Sequence, residues 1–229
     1  MISLEYSNKG CRESNQDYIK SCSLAEGAAA YVVADGMGGY AHGDIAAKVV
    51  AESILDFIAE NIDKMSPGKL LSSSYDFANE SLNIKRMSLG VKEMGCVAVA
   101  LLIMEKMAYL SWLGDSRIYI FRSGQEVFKT EDHSIVAELS KIRSLSLSDM
   151  ERYSSIVTKA LTGDDTNVTP SLMKSPIQEG DVFVLCSDGL YKQWPMTEIA
   201  TESDDELVSN LDALSSTMDD NYSFIKVTI

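Results

Sequence analysis

The chain has 229 residues, of which 45% are hydrophobic, so it is long enough to bury a full core. Its net charge of −14 and its lack of a lysine and arginine cluster with interleaved aromatic residues argue against nucleic acid as a partner. The longest uncharged apolar run, MGCVAVALLIM, is too short to span a membrane, and the N-terminus lacks a secretory signal pattern, so no membrane association is expected.

The first part of the chain predicts three short strands and then two helices. ISLEYS, DYIKSCS and the apolar run 28–34 have the composition of strands. Apolar residues then recur at helical spacing over 44–62, where Asp44 is placed to cap the N-terminus. The next segment has the same spacing, through Leu71, Tyr75, Ala78 and Leu82. Each helix is expected to pack one face against a sheet.

Four more strand-like runs follow: GCVAVALLI, AYLSWLG, RIYIFR and EVFK. Short turns separate them, which favours antiparallel pairing, and Ser123-Gly124 is the clearest hairpin signal. Residues 129–167 are polar and rich in Ser and Asp, and they carry only short helical patterns such as DHSIVAELSKI. This segment is predicted to be a surface excursion.

The last part of the chain predicts a strand, a helix and a final strand. DVFVLCS and YSFIKVTI are the strands. The helix is predicted over 204–215, with Ser203 and Glu206 as a capping box and with Leu207, Leu211 and Leu214 on one face. No repeat or linker divides the sequence, so a single domain is the simplest organisation.

The four cysteines lie far apart and form no C-x-x-C pair. This usage does not match a disulfide framework, and it is typical of a reducing compartment. A cytoplasmic location is therefore expected.

Three of the predicted strands end on a carboxylate: Asp35, Asp115 and Asp188, while Asp220 stands just before the last strand. An unpaired charge in the middle of a buried strand costs on the order of several kcal/mol, whereas carboxylates at the ends of strands can share a multivalent cation. Any single Asp-Gly is more often a turn. The stretch DGMGGYAHGD, however, has four glycines within eight residues, which suits a backbone that approaches an ion closely.

The residue patterns required for several other types of catalytic or nucleotide-binding site are absent from the sequence. The chain has two histidines, no H-E-x-x-H, no G-x-S-x-G and no P-loop, and the residue six beyond Cys186 is Lys192 rather than the arginine of a cysteine phosphatase. Oxygen ligands favour Mg²⁺ or Mn²⁺. Proteins most often use a pair of such ions to activate a water molecule for attack on phosphorus. Arg12, five residues before Asp17, can hold a phosphate through two parallel hydrogen bonds, although alone it would be assigned to a surface salt bridge.

Six motifs in this order resemble the metal-dependent protein phosphatases of type 2C, in their compact bacterial form. They are Arg12-x-x-Asn15-Gln16-Asp17, Asp35-Gly36-Met37-Gly38-Gly39, Gly114-Asp115-Ser116-Arg117, Asp132-His133-Ser134, Ser187-Asp188-Gly189 and Asp220-Asn221-x-Ser223. The resemblance implies an α+β fold: a four-layer α-β-β-α sandwich of two antiparallel sheets flanked by helices. It also implies one catalytic domain over 1–229, a monomer, with 129–167 as a flap beside the active site.

The resemblance assigns a role to each site residue. Asp35 would bridge two Mn²⁺ or Mg²⁺ ions, the Gly36 carbonyl would hold the second ion, and Asp188 and Asp220 would hold the first. Asp115, with Asp188, would bind a third, labile ion. Arg12 would bind the substrate phosphate and Asp17 would orient the attacking water. The implied reaction is attack of a metal-bridging hydroxide on phosphoserine or phosphothreonine, and the implied partners are phosphoproteins made by an opposing serine/threonine kinase.

The sequence also departs from the family pattern. Met37 stands where many eukaryotic members have a histidine, which excludes a histidine general acid there. Gln16 replaces an acid, as is usual in bacterial members, while Cys96 and Ser223 are expected to affect packing only. Asp132 and His133 are expected to anchor the flap, and His42 to be a loop residue. Two alternatives stay open: a phosphatase of a small phosphorylated metabolite, and an inactive metal-binding interaction domain of the same fold.

Overall fold

A computed structural model of the chain describes residues 1–37, 42–164 and 168–229. Its strands are β1 (Ile2–Asn8), β2 (Asp17–Ser23), β3 (Ala29–Gly36), β4 (Cys96–Met104), β5 (Met107–Leu113), β6 (Arg117–Arg122), β7 (Gln125–Lys129), β8 (Ser171–Pro176), β9 (Val182–Cys186) and β10 (Tyr222–Thr228). Its α-helices are α1 (Gly43–Asn61), α2 (Pro67–Leu89), α3 (Ile135–Ser140), α4 (Leu147–Tyr153), α5 (Asp188–Tyr191), α6 (Met196–Thr201) and α7 (Asp204–Ala213).

The strands form two antiparallel sheets that stack face to face. One sheet has the order β1-β10-β9-β6-β7 and the other has the order β2-β3-β4-β5-β8. Side chains alternate along β3, so that Ala30 and Val32 pack against α1 and α2 while Tyr31 and Val33 pack against the other sheet. Because both faces of β3 are covered, its sequence is an almost continuous apolar run.

The outer face of the first sheet is covered by the C-terminal helices. Ile199 of α6 and Leu207 of α7 pack against Phe121 and Val184 of the sheet in a third buried cluster. The layers therefore follow the order helices, sheet, sheet, helices, with a buried apolar cluster between each layer and the next. The predicted four-layer sandwich is confirmed.

The predicted hairpin between β6 and β7 is confirmed. Arg122 pairs with Gln125, and the two residues between them, Ser123 and Gly124, have φ angles of 50° and 74°. Two consecutive left-handed residues are the conformation of a two-residue hairpin turn that matches the twist of the strands.

Two predicted capping interactions are not formed. α1 begins at Gly43 after His42, which has φ 68°, so Asp44 lies in the first turn, where its negative charge still suits the helix N-terminus. At α7, Ser203 is the N-cap residue as predicted, but its hydroxyl donates to the Glu206 carboxylate at 2.7 Å and makes no cap hydrogen bond to the backbone. The expected capping box is therefore not formed.

The end of α7 and two further elements also differ from the prediction. α7 ends at Ala213, so Leu214 lies beyond the helix and is exposed, whereas Leu207 and Leu211 are buried as expected. Neither β8 nor α6 was predicted. β8 is an edge strand that pairs with β5 alone and alternates between exposed and half-buried residues, so it lacks the apolar run that identifies the inner strands.

The cysteines and the helices relate to the predictions of a reducing compartment and of no membrane association. Cys96 and Cys186 are buried, Cys11 is exposed, and all four cysteines carry free thiols. Across the described part of the chain, no helix combines the length and the apolar character needed to cross a bilayer.

Candidate metal centre

Antiparallel pairing brings two carboxylates together at one end of the second sheet. Asp17, the first residue of β2, is opposite Asp35 near the end of β3, and Gly36 is opposite Cys96 at the start of β4. A Cβ on Gly36 would come within 2.2 Å of the Gly43 carbonyl oxygen at the start of α1. Glycine is therefore required where β3 passes under the helix.

The other sheet contributes three more carboxylates at the corresponding end. Cys186, the last residue of β9, is opposite Arg117 at the start of β6. Asp188 lies just beyond β9, Asp115 just before β6, and Asp220 just before β10, which also pairs with β9. Strand ends that are adjacent in an antiparallel sheet place these three residues side by side.

The ends of the two sheets line one cavity of about 470 Å³. The residues around it are Arg12, Glu13, Ser14, Gln16, Asp35, Gly36, Met37, Val97, Asp115, Ser155, Val157, Asp188, Asp220 and Asn221. Every predicted site residue except Asp17 is in this set. The predicted glycines Gly38 and Gly39 lie outside the described residues.

The carboxylates strongly perturb one another. Burial raises the pKa of Asp35 well above its ordinary value, and the negative charges of Asp17, Asp188, Asp115 and Asp220 raise it further. This concentration of negative charge favours binding of either a proton or a cation.

Asp17 lies behind the cavity, where it is buried. Its Oδ2 accepts a hydrogen bond from the Ser187 hydroxyl at 2.7 Å, while its buried Oδ1 has no hydrogen-bond partner. Burial raises the pKa of Asp17 to about 6; hydrogen bonds from Ser187 and Ser223 oppose the shift, and the charges of Asp188 and Asp220 add to it. An unsatisfied buried carboxylate oxygen is costly unless something else completes its coordination.

Two basic side chains reach into this negative region. Arg12 Nη2 donates to Asp220 Oδ2 at 2.9 Å, and the Lys192 ammonium donates to Asp188 Oδ2. Within 1–37, 42–164 and 168–229, no three His, Cys, Asp or Glu side chains form a ready-made metal-binding group. The carboxylates thus surround one cavity without forming a closed ligand group, and two of them, Asp188 and Asp220, are paired with basic side chains.

The donor set fits a hard divalent cation. Among the described residues that line the cavity are four aspartates and Gly36, whose backbone carbonyl is a further candidate oxygen ligand, and none of these described lining residues is a histidine or a cysteine. Oxygen ligands of this kind are those that Mg²⁺ and Mn²⁺ prefer, and a divalent ion would neutralise the excess charge that raises the pKa of Asp35.

Asn221 positions the loop that carries Arg12. Its side-chain amide donates to the backbone oxygens of Lys9 and Ser14, each at 2.9 Å, and its Oδ1 accepts from the Gln16 amide at 2.8 Å. The loop is thereby fixed to the start of β10, next to Asp220.

Asn221→Ala is expected to lower the melting temperature by about 5–10 °C, because three partly buried hydrogen bonds are lost at a cost of about 2–3 kcal/mol in total. Thermal denaturation measures the effect. An Asn221→Ala protein with an unchanged melting temperature would contradict this role.

A second set of contacts fixes the position of Asp115. Tyr191 Oη donates to the Asp115 backbone oxygen at 3.0 Å, and the Arg117 guanidinium lies over the Tyr191 ring, 3.6 Å from its centroid. Arg117 also binds both oxygens of Asp132 at 2.8 Å. Asp132, at the start of the predicted flap, is therefore tied to the wall of the cavity.

His133 anchors the same segment. Its backbone amide donates to the Gly114 oxygen at 2.8 Å, its Nδ1 accepts from the Gly114 amide, and its Nε2 lies 2.9 Å from the Ser171 hydroxyl. Burial lowers the pKa of His133 to about 4, so the ring is neutral at pH 7. The helix α3 that follows is capped by Ser134, whose hydroxyl accepts from the Ala137 amide.

The Cys186 thiol, just before Asp188 in the chain, is not suited to act as a nucleophile. Cys186 is fully buried, and burial raises the pKa of its thiol far above its ordinary range, so it stays protonated. This agrees with the absence of an arginine after Cys186.

The sequence analysis assigned no role to three of the residues that organise the site. They are Ser187, which binds Asp17, Asn221, which binds the Arg12 loop, and Lys192, which binds Asp188. Only Lys192 has a local signal, since it follows Asp188 by four residues, one helical turn.

The comparisons with known proteins agree with this geometry. A family model described as protein phosphatase 2C matches residues 7–225. A putative protein phosphatase 2C-type of Streptococcus pyogenes is 28% identical over 194 residues, covering 83% of this chain and 78% of that protein. A serine/threonine phosphatase of S. agalactiae superimposes with a TM-score of 0.83 at 28% identity, covering 100% of this chain and 99% of its own.

A third likeness is to the catalytic domain of the serine/threonine protein phosphatase PstP in complex with two manganese ions. It has a TM-score of 0.79 at 24% identity and covers 98% of this chain and 96% of its own. Because the sequence identity is below 25%, this comparison supports a shared fold only.

Proposed function

This chain belongs to the protein phosphatase 2C family, and from that membership we propose that the carboxylate cavity is its catalytic centre. The chain is a metal-dependent protein serine/threonine phosphatase that uses Mn²⁺ or Mg²⁺ and acts on phosphoproteins. The observation that carries the proposal is one cavity lined by Asp35, Asp115, Asp188 and Asp220 together with Arg12.

We assign the metal ligands as the sequence predicts. Asp35 would bridge two ions, the Gly36 carbonyl would bind one of them, and Asp188 with Asp220 would bind the other. When bound, the ions supply an activated water for in-line attack on phosphorus and stabilise the entering and leaving oxygens. The raised pKa of Asp35 supports this assignment, because after burial its causes are the neighbouring negative charges, which a divalent ion would neutralise.

Arg12 and Asp17 would act on the substrate and on water. The Arg12 side chain is about half exposed at the cavity mouth and can exchange its bond to Asp220 for the substrate phosphate, which a guanidinium binds through two parallel hydrogen bonds. Asp17 is held by Ser187 with one oxygen free, and that oxygen can accept a hydrogen bond from the attacking water. Both groups would be oriented before the substrate binds.

Residues 1–229 would form a single catalytic domain, with 129–167 as a flap that borders the site. Ser155 and Val157 of this segment line the cavity, and its helices α3 and α4 contain no buried residue. We further propose a monomer in the cytoplasm that opposes a serine/threonine kinase. The free thiols support the location.

Assay on a phosphothreonine peptide tests the function. Activity is expected with Mn²⁺ and should disappear when a chelator is added, because the ions supply the attacking water. A panel of phosphorylated metabolites should give kcat/KM values far below that of the peptide. Activity that survives chelation would refute the metal mechanism, and a strong preference for one metabolite would favour the alternative substrate class.

Thermal denaturation tests ion binding independently of turnover. Mn²⁺ is expected to raise the melting temperature of chelator-treated protein, since a ligand at about one hundred times its dissociation constant stabilises by about 2.7 kcal/mol. The nearly isosteric variant Asp188→Asn/Asp220→Asn provides the control, because it should retain the fold but lacks two proposed ligands. An equal rise in that variant would place the ions elsewhere.

A further inference from the structure

A lysine ammonium binds one carboxylate of the proposed centre, Asp188, and the lysine lines a cavity together with a second, Asp115. Lys192 follows α5, one helical turn after Asp188, and its ammonium donates to Asp188 Oδ2. A lysine ordinarily carries a positive charge at neutral pH, and its ion pair with Asp188 holds that charge beside the proposed centre.

The backbone around Lys192 is held in place. The Lys192 amide donates to the Asp188 oxygen at 3.2 Å, and the preceding Tyr191 bonds to Asp115 and stacks under Arg117. Lys192, Tyr191 and Asp115 also line a second cavity, of about 540 Å³, and Asp115 borders both cavities. Lys192 thus borders the second cavity together with Asp115, while its ammonium binds Asp188, which lines the first cavity.

The same two carboxylates were expected to hold a third, labile ion. A divalent ion between them would meet the positive charge of Lys192 directly, and Asp188 Oδ2 already accepts from the ammonium. Cations repel at such short range, so either the lysine or the third ion occupies this place.

We propose that Lys192 is a built-in cation that replaces a third metal ion between Asp115 and Asp188, so that this phosphatase binds two ions. The proposal rests on the proposed function of the two-ion centre. It revises the expectation that Asp115 is a metal ligand: Asp115 would instead be a partner of the lysine charge. Lys192 would act through the carboxylates, as a positioning residue rather than a catalytic one.

Counting bound ions tests the proposal without relying on activity. Chelator-treated protein is titrated with Mn²⁺ by isothermal calorimetry, and the bound ions are counted by elemental analysis after equilibrium dialysis at millimolar Mn²⁺. Wild type and the conservative variant Lys192→Arg should bind two ions. Lys192→Asp, which replaces the cation by a third carboxylate, should bind three. Three ions in wild type, or no gain in Lys192→Asp, would overturn the proposal.

Asp115→Asn provides a second test that does not alter Lys192. If Asp115 binds no ion, the variant should still bind two ions, with Mn²⁺ affinity within a few-fold of wild type. A fall in the ion count by one would overturn the proposal. Circular dichroism checks that each variant is folded. If Lys192→Asp does not fold, the ion counts of wild type, Lys192→Arg and Asp115→Asn still test the proposal.

Kinetics supply the functional readout. Lys192→Met should lower kcat about tenfold at Mn²⁺ concentrations that saturate wild type, the size expected for loss of a charged hydrogen bond. Millimolar Mn²⁺ should restore part of that loss, because an ion can then enter. A loss that Mn²⁺ does not restore would contradict the proposal. Wild type that is active on the peptide but binds three ions would refute the role of Lys192 alone, whereas two ions without peptide hydrolysis would refute the proposed function alone.

Discussion

Asp188→Asn is expected to reduce kcat on a phosphothreonine peptide by more than about a hundredfold. Changing a residue that only supports a metal ligand costs about 10–100-fold, and removal of an anionic ligand itself should exceed this. The fold should persist, because Asp188 lies at the end of a strand, is partly exposed and repels Asp35 and Asp115. Chelator-treated wild type and variant should therefore melt within about 2 °C of each other, a difference of less than about 1 kcal/mol.

The measurements are kcat at saturating Mn²⁺, Mn²⁺ affinity by calorimetry, and the melting temperature without metal. Asp76→Asn is the matched control, since it makes the same chemical change at an exposed position of α2. The control should behave as wild type in all three measurements. Near-normal turnover by Asp188→Asn would remove this residue from the centre, and with it the assignment of the strand ends as metal ligands.

The strand end at Asp35 was predictable from local information. The apolar run before Asp35 identifies a buried strand, and an ionised carboxylate is tolerated only where such a strand ends. Antiparallel pairing places the end of β9 beside the starts of β6 and β10, but these strands are distant from β9 in the chain, so no local pattern predicts that they are adjacent. The cavity brings Asp35, Asp115, Asp188 and Asp220 together.

The supporting contacts were not predictable, because they join residues that are distant in the chain. Asn221 binds the backbone of Lys9, 212 residues away, and Ser187 binds Asp17, 170 residues away. No periodicity connects such pairs. Lys192 was missed for another reason: Asp188-Gly189 reads as a turn, and only when 188–191 is helical does a lysine four residues later reach the carboxylate.

The errors at helix ends have a similar cause. A cap depends on backbone geometry that the sequence does not specify, so Asp44 was assigned as a cap although the left-handed His42 takes that position. At α7, the Ser203 hydroxyl bonds to the Glu206 carboxylate, which is a local competitor for the same groups. These errors do not affect the centre, which depends on the strands.

Arg12→Lys and Arg12→Ala are expected to lower kcat/KM by about tenfold and by about 100–1000-fold, respectively. The lysine keeps the charge but loses the pair of parallel hydrogen bonds to the phosphate, and the alanine loses both. In the absence of substrate, Arg12 Nη2 bonds to Asp220 and its Nε donates to the Asp219 oxygen at 3.1 Å. Because the side chain is about half exposed, exchanging these bonds for a phosphate costs little.

Arg122→Lys is the matched control for this pair of variants. Arg122 binds both oxygens of the buried Asp181 at 2.8 Å, at the opposite end of β6 from the cavity. Loss of this pair of guanidinium hydrogen bonds should lower the melting temperature and leave kcat/KM unchanged. Steady-state kinetics on the same peptide and thermal denaturation separate the two outcomes. If Arg12→Ala instead destabilised the protein and retained kcat/KM, Arg12 would serve only as the salt-bridge partner of Asp220, and the phosphate would have to be bound by the ions alone.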